Sequence, residues 1–205
     1  MLVGNPVRAQ LKAQRWQPGS GAATRILVVG GSQGARPLNE RLPAGFAAAV
    51  QQGAQLEILH QAGRNDVDKV AAAYRGLGVQ ADVRAFIDDM AAAYSNADLV
   101  VARAGATTCA ELTALGVASI LIPFPQAADD HQTINAKVLA DAGAAVVLPQ
   151  SELSSQRLAD DLLPLCKDDG NALTRMREAA RALGKPEAAA HVVDALAELT
   201  TGRRA

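Results

Sequence analysis

The chain has 205 residues, of which 49% are hydrophobic and 20% are charged, with a formal net charge of -1. This balance is typical of a soluble globular protein with a sizeable core, and it argues against capture of nucleic acid by bulk charge. The aromatic content of 3% also argues against base-stacking surfaces.

The cysteine spacing and the hydropathy of the chain indicate the cellular compartment of the protein. Cys109 and Cys166 lack metal-ligand spacing, which favours a reduced, cytoplasmic setting. The start "MLVGNPVRAQ" has no signal-peptide core, and no apolar run reaches membrane-spanning length. We therefore expect a cytoplasmic protein, a setting that still permits attachment to a membrane surface.

The predicted elements alternate along the chain. The segment "QRWQPGSGAATR" (14–25) is rich in Gly, Ser and Pro and predicts a linker or loop. Short apolar runs, separated by alanine-rich segments with helical spacing, predict strands at 26–30, 55–60, 82–86, 97–102, 118–124 and 144–149. From about residue 153 onward the pattern predicts two or three terminal helices.

Continuous apolar strands separated by helices are typical of a parallel sheet covered on both faces. We predict one doubly wound, Rossmann-like α/β domain with a six-stranded parallel sheet and right-handed crossovers. In such sheets ligands bind beyond the carboxyl ends of the strands. The loops that leave the strands are therefore the candidate site.

The first such loop is "GGSQGA" (30–35), which follows a buried strand and opens a helix. Its glycines permit unusual backbone conformations and close approach of a ligand, and the helix start offers N–H groups to a phosphate. We take Gly31, Ser32 and Gln33 as candidates, with Ser32 adding a hydroxyl. The pattern is neither G-x-G-x-x-G nor a Walker motif, and a tight turn with nothing bound is the alternative.

The second loop lies in "VVARAGATTCAEL" (100–112). Here Ala106, Thr107 and Thr108 fall at a helix start, where N–H groups and hydroxyls suit a second set of phosphate contacts. Glu111 falls one turn further on, where a carboxylate suits the hydroxyls of a ribose. The alternative is a capping box, in which Thr108 caps the helix and Glu111 answers three residues later.

The third loop lies in "PFPQAADDHQTINA" (123–136). Asp129 or Asp130 is a plausible helix N-cap. The next two residues, His131 and Gln132, have side chains that hydrogen-bond polyhydroxylated ligands. The alternative for His131 is an ordinary surface histidine.

The fourth loop lies in "AFIDDMAAAYSNAD" (85–98), where Ile87 and Met90 flank an acidic pair at a strand-to-helix junction. The acids are expected to cap the helix. The apolar pair either belongs to the hydrophobic core or forms one wall of a pocket for a flat aromatic ring. In the second case, backbone groups would hydrogen-bond to the edge of that ring.

Taken together, the loops describe a groove for a diphosphate flanked by a ribose and a second polar ring, which is the outline of a nucleotide-sugar. No histidine or cysteine has a ligand-spaced partner, so we expect neither a metal nor a cofactor. The rival class, a nicotinamide-dependent oxidoreductase, expects G-x-G-x-x-G and an acid about 20 residues on. The second strand instead carries Glu57 in its middle.

Five blocks in chain order resemble the peptidoglycan N-acetylglucosaminyltransferases of glycosyltransferase family 28, which transfer GlcNAc from UDP-GlcNAc to lipid I and so form lipid II. The blocks are "GNPVR" (4–8), "GGSQGA" (30–35), "FIDDMAAAY" (86–94), "RAGATTCAEL" (103–112) and "DHQTINA" (130–136). The resemblance implies one half of a GT-B enzyme, in which two Rossmann-like domains enclose the active site. It implies an interdomain connector and linker over 1–25 and a UDP-GlcNAc-binding domain with C-terminal helices over 26–205.

The resemblance also implies roles for the donor site. The backbone near Ile87 would read the uracil edge with Met90 beside it, and Glu111 would take the ribose hydroxyls. The diphosphate would lie on Ser32 and the turn at 106–108.

Further roles follow from the same resemblance. Arg8 would add positive charge near the diphosphate, and His131 and Gln132 would face the GlcNAc hydroxyls. Some relatives carry serine where this chain has Ala104, and some carry glutamine in place of His131.

The acceptor side of the family is expected to be missing from this chain. The start "MLVGNPVR" falls where the connector of the full enzyme should lie. The catalytic base, the lipid I site and the membrane-docking patch would belong to the absent N-terminal domain, which would hold the full enzyme on the cytoplasmic face of the bacterial inner membrane. No catalytic residue is therefore expected here. The alternative is a stand-alone, non-catalytic module that binds a nucleotide-sugar.

Overall fold

The computed structural model describes residues 3–8, 11, 23–31, 34–167 and 170–200. Six strands form a single sheet in the order β3-β2-β1-β4-β5-β6, and every neighbouring pair is parallel. The strands are β1 (Thr24–Val29), β2 (Leu56–Gln61), β3 (Ala81–Arg84), β4 (Leu99–Ala102), β5 (Ala118–Leu121) and β6 (Ala145–Val147). The prediction of a doubly wound, six-stranded parallel sheet is confirmed.

Helices connect the strands and complete the chain. They are α1 (Arg36–Gln51), α2 (Val67–Gly76), α3 (Met90–Asn96), α4 (Ala106–Leu115), α5 (His131–Asp141), α6 (Ser155–Lys167), α7 (Asn171–Leu183) and α8 (Ala188–Thr200). Short 3-10 helices cover Ala128–Asp130 and Gln150–Glu152. The last three α-helices confirm the predicted helical end of the chain. No helix among the described residues has both the length and the apolarity needed to cross a membrane.

The strand boundaries differ from the predicted ones for local reasons. β1 begins at Thr24, inside the stretch predicted to be linker. β5 ends at Leu121, three residues before the predicted end, because Pro123 has no N–H to continue a central strand. The four residues of both β4 and β5 are fully buried, as expected for central strands covered on both faces.

Two hydrophobic clusters lie on opposite faces of the sheet. One joins the sheet to α1, α2 and α6, and the other joins it to α3, α4 and α5, while α7 contributes to both. Leu11 is buried in the second cluster, so part of the predicted connector packs against the domain. The core is therefore built by strands that present apolar side chains to both sides.

A buried polar network ties β2 to the helices on one face. The His60 ring is fully buried, with Nδ1 3.0 Å from the Tyr74 hydroxyl and Nε2 3.1 Å from Asn39 Oδ1. The Asn39 amide donates to the Ala62 carbonyl and to Asp66, so Oδ1 must be its acceptor end. His60 therefore carries its proton on Nε2, and Nδ1 accepts from Tyr74. Burial lowers the pKa of His60 from 6.5 to about 4.

The shifted pKa of His60 predicts a pH-dependent stability. In the unfolded chain this ring takes up a proton near pH 6.5, whereas in the folded chain it stays neutral down to about pH 4. The free energy of unfolding should therefore fall as the pH drops from 6.5 to 4, by about 3 kcal/mol from this group. Urea denaturation at several pH values measures it.

Two variants make that measurement specific. His60→Gln should remove this part of the pH dependence, whereas His191→Gln, at an exposed position on α8, should keep it. An unchanged slope between pH 6.5 and 4 in His60→Gln would contradict the assignment.

Candidate functional site

Two glycine-containing loops leave the middle of the sheet side by side. The last residues of β1 and β4, Val29 and Ala102, are paired across the two strands. The chain after β1 turns to α1 on one face, and the chain after β4 turns to α4 on the other face. This is the switch point of a doubly wound sheet, where a crevice opens beyond the strand ends.

The first loop is shaped by its glycines. Gly31 has φ +92° with open space where a Cβ would stand, while Gly34 has φ +75° and a Cβ there would overlap the carbonyl oxygen of Ala62. The helix α1 then begins with a proline in its first turn and without a side-chain cap. Pro37 has no N–H, and the Leu38 N–H donates to the Ala35 carbonyl at 2.8 Å. The N–H of Arg36 and the helix dipole are therefore what this helix start offers to an anion. Ser32 and Gln33 lie outside the described residues, so their predicted phosphate contacts stay predictions.

The second loop also delivers an uncapped helix start. The N-cap of α4 is Gly105, no side chain caps the helix, and no acid lies in its first turn. Ala106 and Thr107 are exposed and Thr108 is half-buried, so this turn is open to solvent, and its predicted phosphate contacts stay predictions. The capping-box alternative is wrong, because Glu111 makes its bonds elsewhere.

Glu111 is a buried carboxylate held from two sides. Arg8 donates to Oε1 from Nε at 3.2 Å and from Nη2 at 2.9 Å, and the Tyr94 hydroxyl donates to Oε2 at 3.1 Å. The Glu111 side chain is 5% exposed, whereas that of Arg8 is 55% exposed. A half-exposed ion pair contributes at most about 1 kcal/mol, but a buried carboxylate stripped of its partners costs several times more. The main effect of Arg8 is therefore to satisfy Glu111.

Burial and the neighbouring charge fix the protonation of two groups beside Glu111. Burial, followed by the Glu111 carboxylate, raises the pKa of Tyr94 far above its usual value of 10.0. Tyr94 is therefore a neutral hydroxyl that can only donate to the carboxylate. Burial raises the pKa of the Cys109 thiol to about 11, so this thiol on α4 is not a nucleophile.

The segment between β3 and the start of α3 contains both a helix-capping aspartate and buried apolar side chains. Asp89 caps α3 by accepting from the N–H of Ala92 at 2.9 Å, which confirms the predicted acidic cap. The side chains of Ile87 and Met90 are buried in the hydrophobic cluster of this face, as the core alternative expects. Met90 also lines a cleft of ≈ 530 Å³, together with Arg8 and residues at the start of α3.

The loop between β5 and α5 is held by its own polar groups. Gln132 Oε1 accepts from the N–H of Phe124 at 3.0 Å, and Asp129 and Asp130 both adopt the left-handed conformation. Asp130 is the N-cap of α5 by position, while its carboxylate accepts from a nearby threonine hydroxyl rather than from the helix backbone. His131 is exposed at the helix start. Its predicted sugar contact and that of Gln132 stay predictions.

Four polar residues that connect these loops were not among the predicted site residues. Tyr94 bonds Glu111, Asn135 donates to the Ala104 carbonyl in the second loop, and Arg103 donates to the carbonyls that follow β5. The fourth, Gln61, bonds two loops at once. The available signal was a polar residue at the end of an apolar strand, which marks Gln61 and Arg103 but not their partners.

Arg103 is the charged residue that directly follows β4. Arg103 is half-buried, lies 5.4 Å from the centre of the Phe124 ring, and has its pKa lowered by burial. Within the described ranges, no group of three or more His, Cys, Asp or Glu residues is placed to hold a metal ion.

The strand order, with its switch point between β1 and β4, defines a doubly wound, Rossmann-like α/β domain. The chain belongs to glycosyltransferase family 28, because the model of the family's C-terminal domain matches residues 25–192.

Similar proteins agree with this membership. The chain is 49% identical over 208 residues to the UDP-N-acetylglucosamine--N-acetylmuramyl-(pentapeptide) pyrophosphoryl-undecaprenol N-acetylglucosamine transferase of Azoarcus sp. (strain BH72), covering 99% of this chain and 57% of that protein. It is 50% identical over 204 residues to the enzyme of the same name from Aeromonas hydrophila, covering 98% and 55%. The crystal structure of Acinetobacter baumannii MurG superposes with a TM-score of 0.83 at 40% identity, over 94% of this chain and 55% of that one. The chain thus spans little more than half the length of these relatives.

The crowding at Gly34 makes a prediction for the first loop. Gly34→Ala should lower the free energy of unfolding by about 3 kcal/mol, because the left-handed backbone and the overlap with Ala62 both penalise a methyl group. Gly53→Ala is the matched control, since Gly53 has φ +94° but nothing within 4 Å of its Cβ position. It should cost about 1 kcal/mol. Urea denaturation of both variants measures the difference, and equal costs would show that the loop is not crowded.

Proposed function

We propose that this chain is the donor-binding domain of an N-acetylglucosaminyltransferase that forms lipid II from UDP-GlcNAc and lipid I. The observation that carries the proposal is the convergence of two uncapped helix starts beside the buried carboxylate of Glu111. The names of the relatives supply the substrate class.

The diphosphate is assigned to the crevice between the two loops. The helix starts of α1 and α4 carry partial positive charge and have no side-chain cap. Gly31 leaves open space on its exposed side, which allows an oxygen atom to approach the backbone. Ser32 and Gln33 belong to the same loop.

The nucleoside is assigned to the side of the crevice near α3. Glu111 would accept hydrogen bonds from the ribose hydroxyls through its carboxylate, and the base would enter the ≈ 530 Å³ cleft beside Met90. The carbonyl of Ile87, which directly precedes the cleft residue Asp88, would read the base edge, because the Ile87 N–H is donated to Gln61. GlcNAc would then lie toward His131 and Gln132 at the start of α5.

Transfer by the whole enzyme would be an inverting displacement at the anomeric carbon. The acceptor hydroxyl forms the new bond on one side while the bond to the UDP oxygen breaks on the other, and UDP leaves with the electron pair. The helix starts of α1 and α4, together with Arg8, would stabilise the negative charge on UDP.

The acceptor half of this reaction lies outside the chain. The acceptor site and the base that removes the hydroxyl proton would belong to the N-terminal domain of the family, which also brings the enzyme to lipid I at the cytoplasmic face of the inner membrane. The chain alone would therefore bind the donor without transferring it.

Calorimetric titration with UDP and 2′-deoxy-UDP tests the donor site. The chain should bind UDP about tenfold more tightly, because hydrogen bonds from the 2′-hydroxyl to a charged carboxylate contribute about 1.5–3 kcal/mol before competing contacts are subtracted. Glu111→Ala should remove this preference, whereas Glu57→Ala, at an exposed position on β2, should keep it. Equal binding of both nucleotides by the unaltered chain would refute the ribose assignment.

A second prediction concerns the group that fixes Glu111. Tyr94→Phe should weaken UDP binding about tenfold, because one oxygen of the buried carboxylate loses its donor and its orientation. Tyr74→Phe is the matched control, since Tyr74 is equally buried but bonds His60. It should lower the free energy of unfolding by about 1 kcal/mol with UDP affinity unchanged. Equal UDP affinities for the two variants would contradict a positioning role for Tyr94.

A further inference from the structure

Gln61 is a buried amide at the end of β2 whose two polar atoms reach different loops. Its Nε2 donates to the carbonyl of Gly31 at 3.0 Å, and its Oε1 accepts from the N–H of Ile87 at 3.1 Å. The residue is 3% exposed. The orientation of the amide follows from its partners, because a carbonyl requires the donor end and an N–H requires the acceptor end.

The sheet register places Gln61 where it can span both loops. On one side it is paired with Val29, which precedes the first glycine loop, and on the other side it is paired with Arg84, which precedes the segment containing Ile87. Its neighbour His60 points to the opposite face, where it belongs to the network with Asn39. The side chain of Gln61 therefore lies on the other face, where it hydrogen-bonds to the two loops.

We infer that Gln61 is a positioning residue that sets the distance between the phosphate-binding loop and the segment that reads the base. The inference rests on the proposed function, since it assigns the diphosphate to the first loop and the base to the Ile87 segment. A ligand that spans both loops requires them to be held in register, whereas a ligand that contacts one loop does not. Gln61 thereby favours nucleoside diphosphates over their fragments.

The chemistry of the side chain explains why glutamine is needed here. Methionine has similar length but offers neither a donor nor a strong acceptor, so it would release both loops. Glutamate would keep the acceptor for the Ile87 N–H but would place an acceptor against the Gly31 carbonyl and add negative charge near the diphosphate. Gln61→Glu therefore removes only the hydrogen bond to Gly31, whereas Gln61→Met removes the hydrogen bonds to both Gly31 and Ile87.

The test compares UDP with uridine by calorimetry in Gln61→Met and in Gln55→Met, a control at an exposed position just before β2. Gln61→Met should weaken UDP binding about tenfold, equivalent to about 1.4 kcal/mol, while uridine binding changes less than about threefold. Gln55→Met should change neither. Unchanged UDP binding, or equal losses for UDP and uridine, would overturn the inference.

Amide hydrogen exchange supplies a readout that does not depend on a ligand. Exchange at the Ile87 N–H should accelerate in Gln61→Met and stay slow in Gln61→Glu, because the glutamate keeps the acceptor. If Gln61→Met does not fold, Gln61→Asn is titrated instead: it keeps a neutral amide but is one methylene shorter, so it cannot reach both loops and should bind uridine normally and UDP weakly. Equal exchange at Ile87 in the unaltered chain and in Gln61→Met would overturn the inference. If Glu111→Ala loses the 2′-hydroxyl preference but Gln61→Met binds UDP normally, this inference fails while the proposed function stands.

Discussion

The pairing of β1 with β4 is the constraint on which the candidate site depends. These parallel neighbours lie about 4.8 Å apart and end together at Val29 and Ala102. Because the chain leaves them toward opposite faces, the starts of α1 and α4 flank a single crevice. Two partial positive charges are thereby brought together, and the sheet core holds them in place.

The backbone of the site was predictable from sequence, but most of its side-chain contacts were not. Glycines after apolar runs identify both loops, because turns that need unusual backbone angles select glycine at those positions in the sequence. The bonds of Gln61 join residues 26 and 30 positions apart, and Arg8 meets Glu111 across 103 positions. Such partners are brought together by strand register and strand order, which no local pattern encodes.

Two ambiguous patterns were resolved by packing. The sequence around Thr108 and Glu111 fits a capping box, yet burial against α3 directs the carboxylate to Tyr94 and Arg8. Ile87 fitted both a core residue and a site residue. Its side chain lies in the core while its N–H belongs to the loop network, so the two interpretations describe different atoms of one residue.

The unequal exposure of Arg8 and Glu111 determines which of them can change partners. Glu111 is fixed on α4 within the core, whereas the Arg8 guanidinium extends from an N-terminal segment and is more than half exposed. Any ligand that binds the Glu111 carboxylate must therefore share this carboxylate with the Arg8 guanidinium or displace the guanidinium. By thermodynamic reciprocity, if a partner bound to the Arg8 segment changes the affinity of that ligand, the ligand must change the affinity of the partner by the same factor.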